Sequence, residues 1–277
     1  MYQLDPSAFD LVRPLLRDAW FALSSVYAPL DGNNPGRVWV DDPAQPRSAL
    51  ITPGAATGDF FPVGRADNET FNQEMVALLR DELLPALSPQ HGAVHVMFYS
   101  YTPEWHAALD RLLAPWGVQR IVRILFALDH DLFRALHGDW RARVPEGLRV
   151  VPPEESLVAQ DPGCEALWGS AAEFMRWGVA AFVVDGDALV SRSQTVFVGG
   201  GHAEIGIHTA PEYRRRGLAI LAAAACIEAC LERGLEPDWG CFYNEASKAM
   251  AGSMGFKPLP DAIVHYVRWE DTGAAEG

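Results

Sequence analysis

Apolar and polar residues alternate over several short stretches of this 277-residue chain, and segments with helical spacing separate them. In the first half, this pattern predicts a helical region at 6–28, strands at 37–41, 48–52 and 59–63, a helix from 68 to 83, a strand at 94–100, a helix at 103–113 and a strand at 119–128. In the second half, it predicts a strand at 148–151, a helix at 155–176, a hairpin of 179–184 with 188–198, a strand at 202–209, a helix at 218–231, a strand at 236–242, a helix from 244 and a strand at 262–269.

The second half repeats the order of elements in the first half. This repetition predicts an α/β (α+β) fold made of tandem copies of one plan, each with a mixed central sheet flanked by helices. The polar segment 139–147, which contains Pro145 and Gly147, is the best linker in the chain. The expected domains are therefore 1–140 and 145–277.

The most informative stretch is the junction between the strand at 202–209 and the helix at 218–231. Pro211 ends the strand, because proline cannot donate to a ladder of hydrogen bonds. A helix N-terminus leaves its first amides unpaired and carries a partial positive charge. Gly217 lets a phosphate approach these amides closely, and three arginines add charge, so the turn predicts a ligand with a pyrophosphate. The arginines are Arg214, Arg215 and Arg216.

Two motifs around this junction carry a family resemblance. Arg214-x-x-Gly217-x-Ala219 resembles the acetyl-CoA pyrophosphate loop of the GNAT superfamily of N-acetyltransferases. Downstream, Asn244-x-x-Ser247 and a later Gly-Phe pair are similar to the second motif of that family. In detail the chain most resembles the GNAT group that includes zwittermicin A resistance proteins.

The resemblance implies acetyl-CoA as co-substrate and a set of residues that bind it. Acetyl-CoA would lie in a V-shaped gap between the strands at 202–209 and 236–242, with its pantetheine arm paired to backbone groups of the first strand. A backbone N–H there would stabilise the oxyanion of the reaction. The implied cofactor-binding residues are Ile207, Thr209, Arg214, Arg215, Arg216, Gly217, Leu218, Ala219, Asn244 and Ser247.

The catalytic groups are less clear from the sequence. An alkyl amine is mostly protonated at neutral pH, so a base must remove a proton before attack. Glu204 is the first candidate because the family often has a glutamate on this strand, and His208 is the second. The family's usual acid, a tyrosine seven residues after the asparagine, is replaced by Ala251, and Tyr243 is the candidate substitute. Each of these side chains could instead be solvated or packed.

Composition narrows the class of protein further. A net charge of −14 argues against nucleic acid as a partner and would attract a cationic acceptor, although it could also serve solubility alone. The first residues do not resemble a secretory signal, and no apolar run is long enough for a membrane span, so the cytoplasm is expected. The four cysteines lack metal-ligand spacing and are expected to be buried thiols, with no metal bound.

These observations lead to one functional prediction and one alternative. The prediction is an N-acetyltransferase, a monomer or homodimer, that transfers acetyl from acetyl-CoA to the primary amine of a small cationic acceptor, with an antibiotic-like amine as one candidate. In the first copy, acidic residues at 64–69 replace the arginine cradle, which indicates a degenerate N-terminal domain. The alternative is a non-catalytic acyl-CoA-binding or sensing protein, because the usual tyrosine is missing.

Overall fold

The computed structural model describes residues 1–17, 23–87 and 94–270. Its strands are β1 (Tyr2–Gln3), β2 (Gly36–Val40), β3 (Ser48–Pro53), β4 (Asp59–Gly64), β5 (Val94–Tyr99), β6 (Gln119–Leu128), β7 (Leu148–Val151), β8 (Ala180–Asp185), β9 (Ala188–Gly199), β10 (His202–Thr209), β11 (Glu236–Cys241), β12 (Phe256–Pro258) and β13 (Ala262–Trp269). Its α-helices are α1 (Leu23–Tyr27), α2 (Glu69–Leu78), α3 (Leu84–Leu87), α4 (Pro103–Leu112), α5 (His130–His137), α6 (Glu155–Val158), α7 (Cys164–Trp168), α8 (Ala171–Trp177), α9 (Leu218–Glu232) and α10 (Glu245–Ser253). Short 3-10 and π segments occupy Pro6–Leu16, Leu79–Leu83, Ala114–Trp116, Trp140–Arg143 and Pro211–Tyr213.

The chain forms two compact units whose limits differ from the predicted domains 1–140 and 145–277. The first unit holds the described residues of 1–22, 36–122 and 263–277, and the second holds 23–35 and 123–262. The predicted linker also belongs to the second unit, because Trp140 is buried and its indole N–H donates to Glu228 of α9 at 3.2 Å. Neither unit is therefore a continuous piece of chain.

The second unit is built on a mixed sheet in the order β7-β8-β9-β10-β11-β6. All these neighbours are antiparallel except β10 and β11, which are parallel and are connected by α9. Every residue of α9 from Ala222 to Ile227 is buried, as expected for a helix that is apolar on nearly every face. The predicted α/β fold with a mixed sheet and flanking helices is confirmed.

The first unit repeats this arrangement with the order β1-β2-β3-β4-β5-β13. Its single parallel pair is β4 and β5, and the helical segment of α2 and α3 lies between these strands in the chain. The turn before α2 is occupied by the chain's own groups: the Asn68 side chain caps the Phe71 amide at 3.3 Å, and the Arg65 amide donates to the Arg47 carbonyl. The chain's own groups thus hold both ends of this turn, and the loss of the cofactor cradle from the first copy stays a prediction.

Some predicted helices differ in extent from the observed ones. The region 155–176 is three short helices, because Asp161-Pro162-Gly163 interrupts it and Gly169 has a φ of 76°. The predicted helix at 6–28 is a 3-10 segment over Pro6–Leu16 followed by α1, and 18–22 lie outside the described residues. Within the described part of the chain, no helix is long and apolar enough to cross a membrane.

Candidate active site

A gap opens between the two parallel strands of the second unit. Their paired register runs from His202 opposite Glu236 to Glu204 opposite Asp238, and it ends there. β10 continues to Thr209 and β11 to Cys241, so the strands separate toward their C-terminal ends. The closed end of this gap, next to the Glu204–Asp238 pair, is called the apex below.

The open end of the gap leads into the predicted phosphate cradle. Gly217 is the N-cap of α9 with a φ of 78°, and Arg215 is the one non-glycine residue with a positive φ in the described chain. Among the described residues, no backbone carbonyl accepts a hydrogen bond from the amides of residues 215–219. A Cβ added to Gly217 would meet no atom within 4 Å. Five consecutive amides therefore border an open space at a helix N-terminus, which is an arrangement suited to anions.

The three arginines of the turn occupy different positions. The Arg214 Nε donates to the Thr209 carbonyl at 3.1 Å, which ties the turn to the end of β10. The guanidinium of Arg216 lies 4.9 Å from the centroid of the Tyr213 ring. The Tyr213 hydroxyl donates to Asp185 at 2.9 Å, and this hydrogen bond raises the pKa of Tyr213. These contacts hold the turn open around the amides, while the Arg215 side chain is exposed beside them.

An ion pair at the apex holds the side chain of Glu204 in position. Its carboxylate forms an ion pair with the Arg123 guanidinium of β6, and the two side chains are 14% and 9% exposed. Gly240 of β11 makes room for this guanidinium, because a Cβ at Gly240 would lie 2.7 Å from the Arg123 Nε. Glu204 therefore lies at the apex within an ion pair that the local sequence did not indicate, and its role as base stays a prediction.

His208 and Tyr243, the other two catalytic candidates, lie away from the apex. His208 is exposed and pairs across the sheet with Arg192 of β9. Tyr243 follows β11 and is 79% exposed. Neither side chain is brought against Glu204 by a contact within the described residues, and their catalytic roles stay predictions.

The second motif forms the start of α10. Asn244 is the N-cap, and its side-chain oxygen accepts from the Ser247 amide at 3.1 Å, as predicted for a capping residue. The Ser247 hydroxyl accepts from the indole N–H of Trp239 at 3.1 Å. These bonds hold the side of the gap that lies opposite β10. On β10 itself, Ile207 and Thr209 are half-buried.

The cysteines agree with the sequence prediction of buried thiols. All four cysteines are free and buried. The hydrogen bond with Cys226 and the surrounding burial raise the pKa of Cys230, which favours its protonated thiol form. Within the described residues, no group of three or more His, Cys, Asp or Glu side chains could hold a metal ion.

Comparison with known proteins identifies the family of this chain. A family model described as GNAT acetyltransferase matches residues 16–260, which is most of the chain. This chain belongs to the GNAT acetyltransferase family. It is 27% identical over 247 residues to YdfB of Bacillus subtilis strain 168, named an uncharacterized N-acetyltransferase, and the match covers 87% of this chain and 89% of that protein.

Solved structures with the same fold cover both units of this GNAT protein. A GCN5-related N-acetyltransferase-like protein from Streptococcus suis 89/1591 matches with a TM-score of 0.70 and 19% identity, over 95% of this chain and 99% of its own. A tandem GNAT protein from the clavulanic acid biosynthesis pathway matches with a TM-score of 0.58 and 16% identity, over 95% of each chain. At these identities the likeness concerns the fold.

The position of the usual GNAT tyrosine is filled by a core residue. Ala251 is 0% exposed and packs in the hydrophobic core of the second unit. We expect Ala251→Tyr to lower the free energy of unfolding by about 2 kcal/mol, because extra volume in a packed core forces its neighbours apart. Denaturant unfolding measures this loss. The matched control is Gly252→Tyr on the same helix, where an added Cβ meets no atom within 4 Å. Equal stability of the two variants would contradict the placement of Ala251 in the packed core.

Sequence reasoning missed four residues of this site. Arg123 and Asp238 come from strands that were predicted, but only the sheet order brings β6 and β11 beside β10. His202 was noted as the first residue of its strand and given no role. Gly240 carried a usable signal, because a glycine inside a strand indicates close approach of another group.

Proposed function

We propose that this GNAT protein transfers an acetyl group from acetyl-CoA to the primary amine of a small cationic acceptor. The observation that carries the proposal is the run of amides at 215–219 that donate to no backbone carbonyl of the described residues, at the open end of a gap between parallel strands. Bound acetyl-CoA supplies an activated thioester carbonyl. The residues of this chain bind it, orient it and move protons around it.

The cradle fits a diphosphate in charge and in shape. The amides of 215–219 and the N-terminus of α9 favour negative charge. Gly217 leaves space at the point where any side chain would intrude, and Arg214, Arg215 and Arg216 add the positive charge. Leu218 and Ala219 contribute the first two amides of the helix.

The gap is assigned to the pantetheine arm. Beyond Glu204, the register of β10 with β11 stops, so the β11-facing edge of Ile207 and Thr209 has no strand partner within the described residues. An extended arm can pair with such an edge as an added strand would. Asn244 and Ser247 lie at the start of α10 and are proposed to border the arm on the other side.

The acceptor is proposed to be cationic because carboxylates line the apex. Glu204, Asp238 and Glu236 alternate with buried residues and therefore lie on one face of the sheet. An ammonium group would find counter-charges there. The likeness to the zwittermicin A resistance group and an antibiotic-like acceptor remain part of this proposal. Glu204 and His208 are the two candidates for the base that the sequence supplied.

A thiol-release screen tests the proposed function. Acetyl-CoA is incubated with the protein and a panel of polyamines, aminoglycosides and amino acids, and free coenzyme A is measured. We expect release that depends on one class of amine, with the acetylated amine found by mass spectrometry. Coenzyme binding without amine-stimulated release would instead support the non-catalytic acyl-CoA-binding protein, which the buried Ala251 at the usual acid position favours.

A further inference from the structure

A histidine and an aspartate form a second polar pair at the apex of the gap. The Nδ1 atom of His202 lies 2.9 Å from the Oδ1 atom of Asp238, and the side chains are 27% and 30% exposed. His202 is the first residue of β10, and Asp238 stands opposite Glu204 on β11. The pair bridges the two strands just before they separate.

The geometry fixes which ring nitrogen is available. A carboxylate only accepts hydrogen bonds, so Nδ1 of His202 is the donor and carries a proton. In the neutral ring, Nε2 then has the free lone pair. Among the described residues, no hydrogen-bond partner of His202 Nε2 is present. A histidine oriented by a carboxylate in this way is a proton acceptor held in one tautomer.

The dyad lies on the face of the sheet where the acceptor is proposed to bind. His202 and Glu204 are two residues apart on one strand, so they point to the same face at a spacing of roughly 7 Å. On β11, Asp238 alternates with the buried Pro237 and Trp239, so it lies on that face as well. A pantetheine arm that enters from the cradle would direct its thioester end toward this apex.

Glu204 is less suited to take a proton. Its carboxylate already forms a nearly buried ion pair with Arg123, and accepting a proton would give up that pair. Breaking a buried ion pair is costly. His202 has no such contact at Nε2 and is more exposed than Glu204.

We propose that His202, held by Asp238, is the general base that accepts the proton of the attacking amine, directly or through one water. This rests on the proposed acetyl transfer. The amine nitrogen forms a bond to the acetyl carbon, the carbon–sulfur bond breaks, and the amine proton passes to His202 Nε2. The leaving thiolate takes a proton from solvent, and His202 returns its proton to solvent.

The charged surroundings of His202 support this role. Asp238, through its hydrogen bond, raises the pKa of His202 above its ordinary value, and Glu236 acts in the same direction, while burial opposes them. Glu236 is itself paired with His130 at 2.9 Å. On β9, the residue opposite His202 is the uncharged Gly199. The segment after α1 contributes Asp31, whose carboxylate accepts a hydrogen bond from the Gly200 amide at 2.7 Å. A base with a raised pKa is protonated at low pH, so the rate should fall as the pH drops below that pKa.

The test is a pH profile of kcat/KM for the full chain, with acetyl-CoA and the most active amine of the panel above. His202→Gln is expected to lower kcat by about 10²- to 10⁴-fold, to remove the acidic limb of the profile and to leave coenzyme A affinity unchanged by calorimetry. Asp238→Asn is expected to shift that limb to lower pH, because the group that raises the pKa is lost. His95→Gln replaces an exposed histidine of the first unit that hydrogen-bonds to Tyr266, so it is the control and should keep the wild-type profile.

The outcomes separate this role from the proposed function. If His202→Gln retains the acidic limb while Glu204→Gln loses it, His202 is not the base. If His202→Gln weakens coenzyme A binding as much as it slows turnover, its role is structural and the proposal fails. A wild-type protein that binds coenzyme A and acetylates no amine of the panel refutes the proposed function, and this role with it.

Discussion

Replacing Gly217 by alanine is expected to weaken acetyl-CoA binding at least about tenfold, which is about 1.4 kcal/mol of binding free energy. At a φ of 78°, an added Cβ would point into the open space bordered by the amides of 215–219, where the diphosphate is proposed to lie. The left-handed conformation also costs about 1–2 kcal/mol for a residue with a Cβ, which disfavours the cradle itself. Isothermal titration with acetyl-CoA measures the change in affinity.

Gly234 provides a matched control at the other end of α9. It has a φ of 72°, and an added Cβ there also meets no atom within 4 Å. Gly234→Ala should therefore lose a similar amount of stability while keeping the coenzyme affinity of the wild type. Equal affinities of the two variants for acetyl-CoA would show that the diphosphate is not held at Gly217.

Replacing Asn34 by alanine is expected to lower the free energy of unfolding of the second unit by about 3 kcal/mol. Asn34 is 3% exposed, and its amide nitrogen donates to the carbonyls of Leu167 and Val196, each at 3.2 Å. Its side-chain oxygen accepts from the Val198 amide at 3.1 Å. Each buried group left without a partner costs about 1–3 kcal/mol.

The neighbouring Asn33 separates this effect from a general effect of the segment. Asn33 is half-buried, and its side-chain amide donates to the Val198 carbonyl at 3.1 Å. Asn33→Ala should cost about 1 kcal/mol. Urea unfolding followed by tryptophan fluorescence measures both losses. If the Asn34 and Asn33 variants were equally stable, the segment 23–35 would not be an integral part of the second unit.

The hydrophobic pattern predicted most strands because period-two alternation reflects a local requirement of a half-buried sheet. The hairpin of β8 and β9 follows from the alternation on both sides of Asp185-Gly186, and Gly186 has the positive φ that the turn requires. The helix at 155–176 was predicted too long because helical spacing continues across Gly163 and Gly169, and spacing alone does not show which glycine ends a helix.

The limits of the units could not be predicted from order and composition. Segment 23–35 precedes five of the six strands of the first unit, yet it bonds to Leu167, Val196 and Val198. At the other end of the chain, β13 pairs with β5 of the first unit. These contacts join residues from 133 to 175 positions apart, and local patterns contain no information about such pairings.

The sequence by itself determined the turn of the proposed cradle, because a strand, a proline, three arginines and Gly217 follow one another within a few residues. A helix N-terminus attracts anions through the backbone of those same residues. It also determined the cap of α10, because the capping hydrogen bond joins Asn244 to Ser247, only three residues later in the chain. The tertiary structure alone decided the apex. Arg123, Glu204, Asp238 and His202 come from three strands, and only the sheet order β10-β11-β6 and its register bring their side chains within hydrogen-bonding distance.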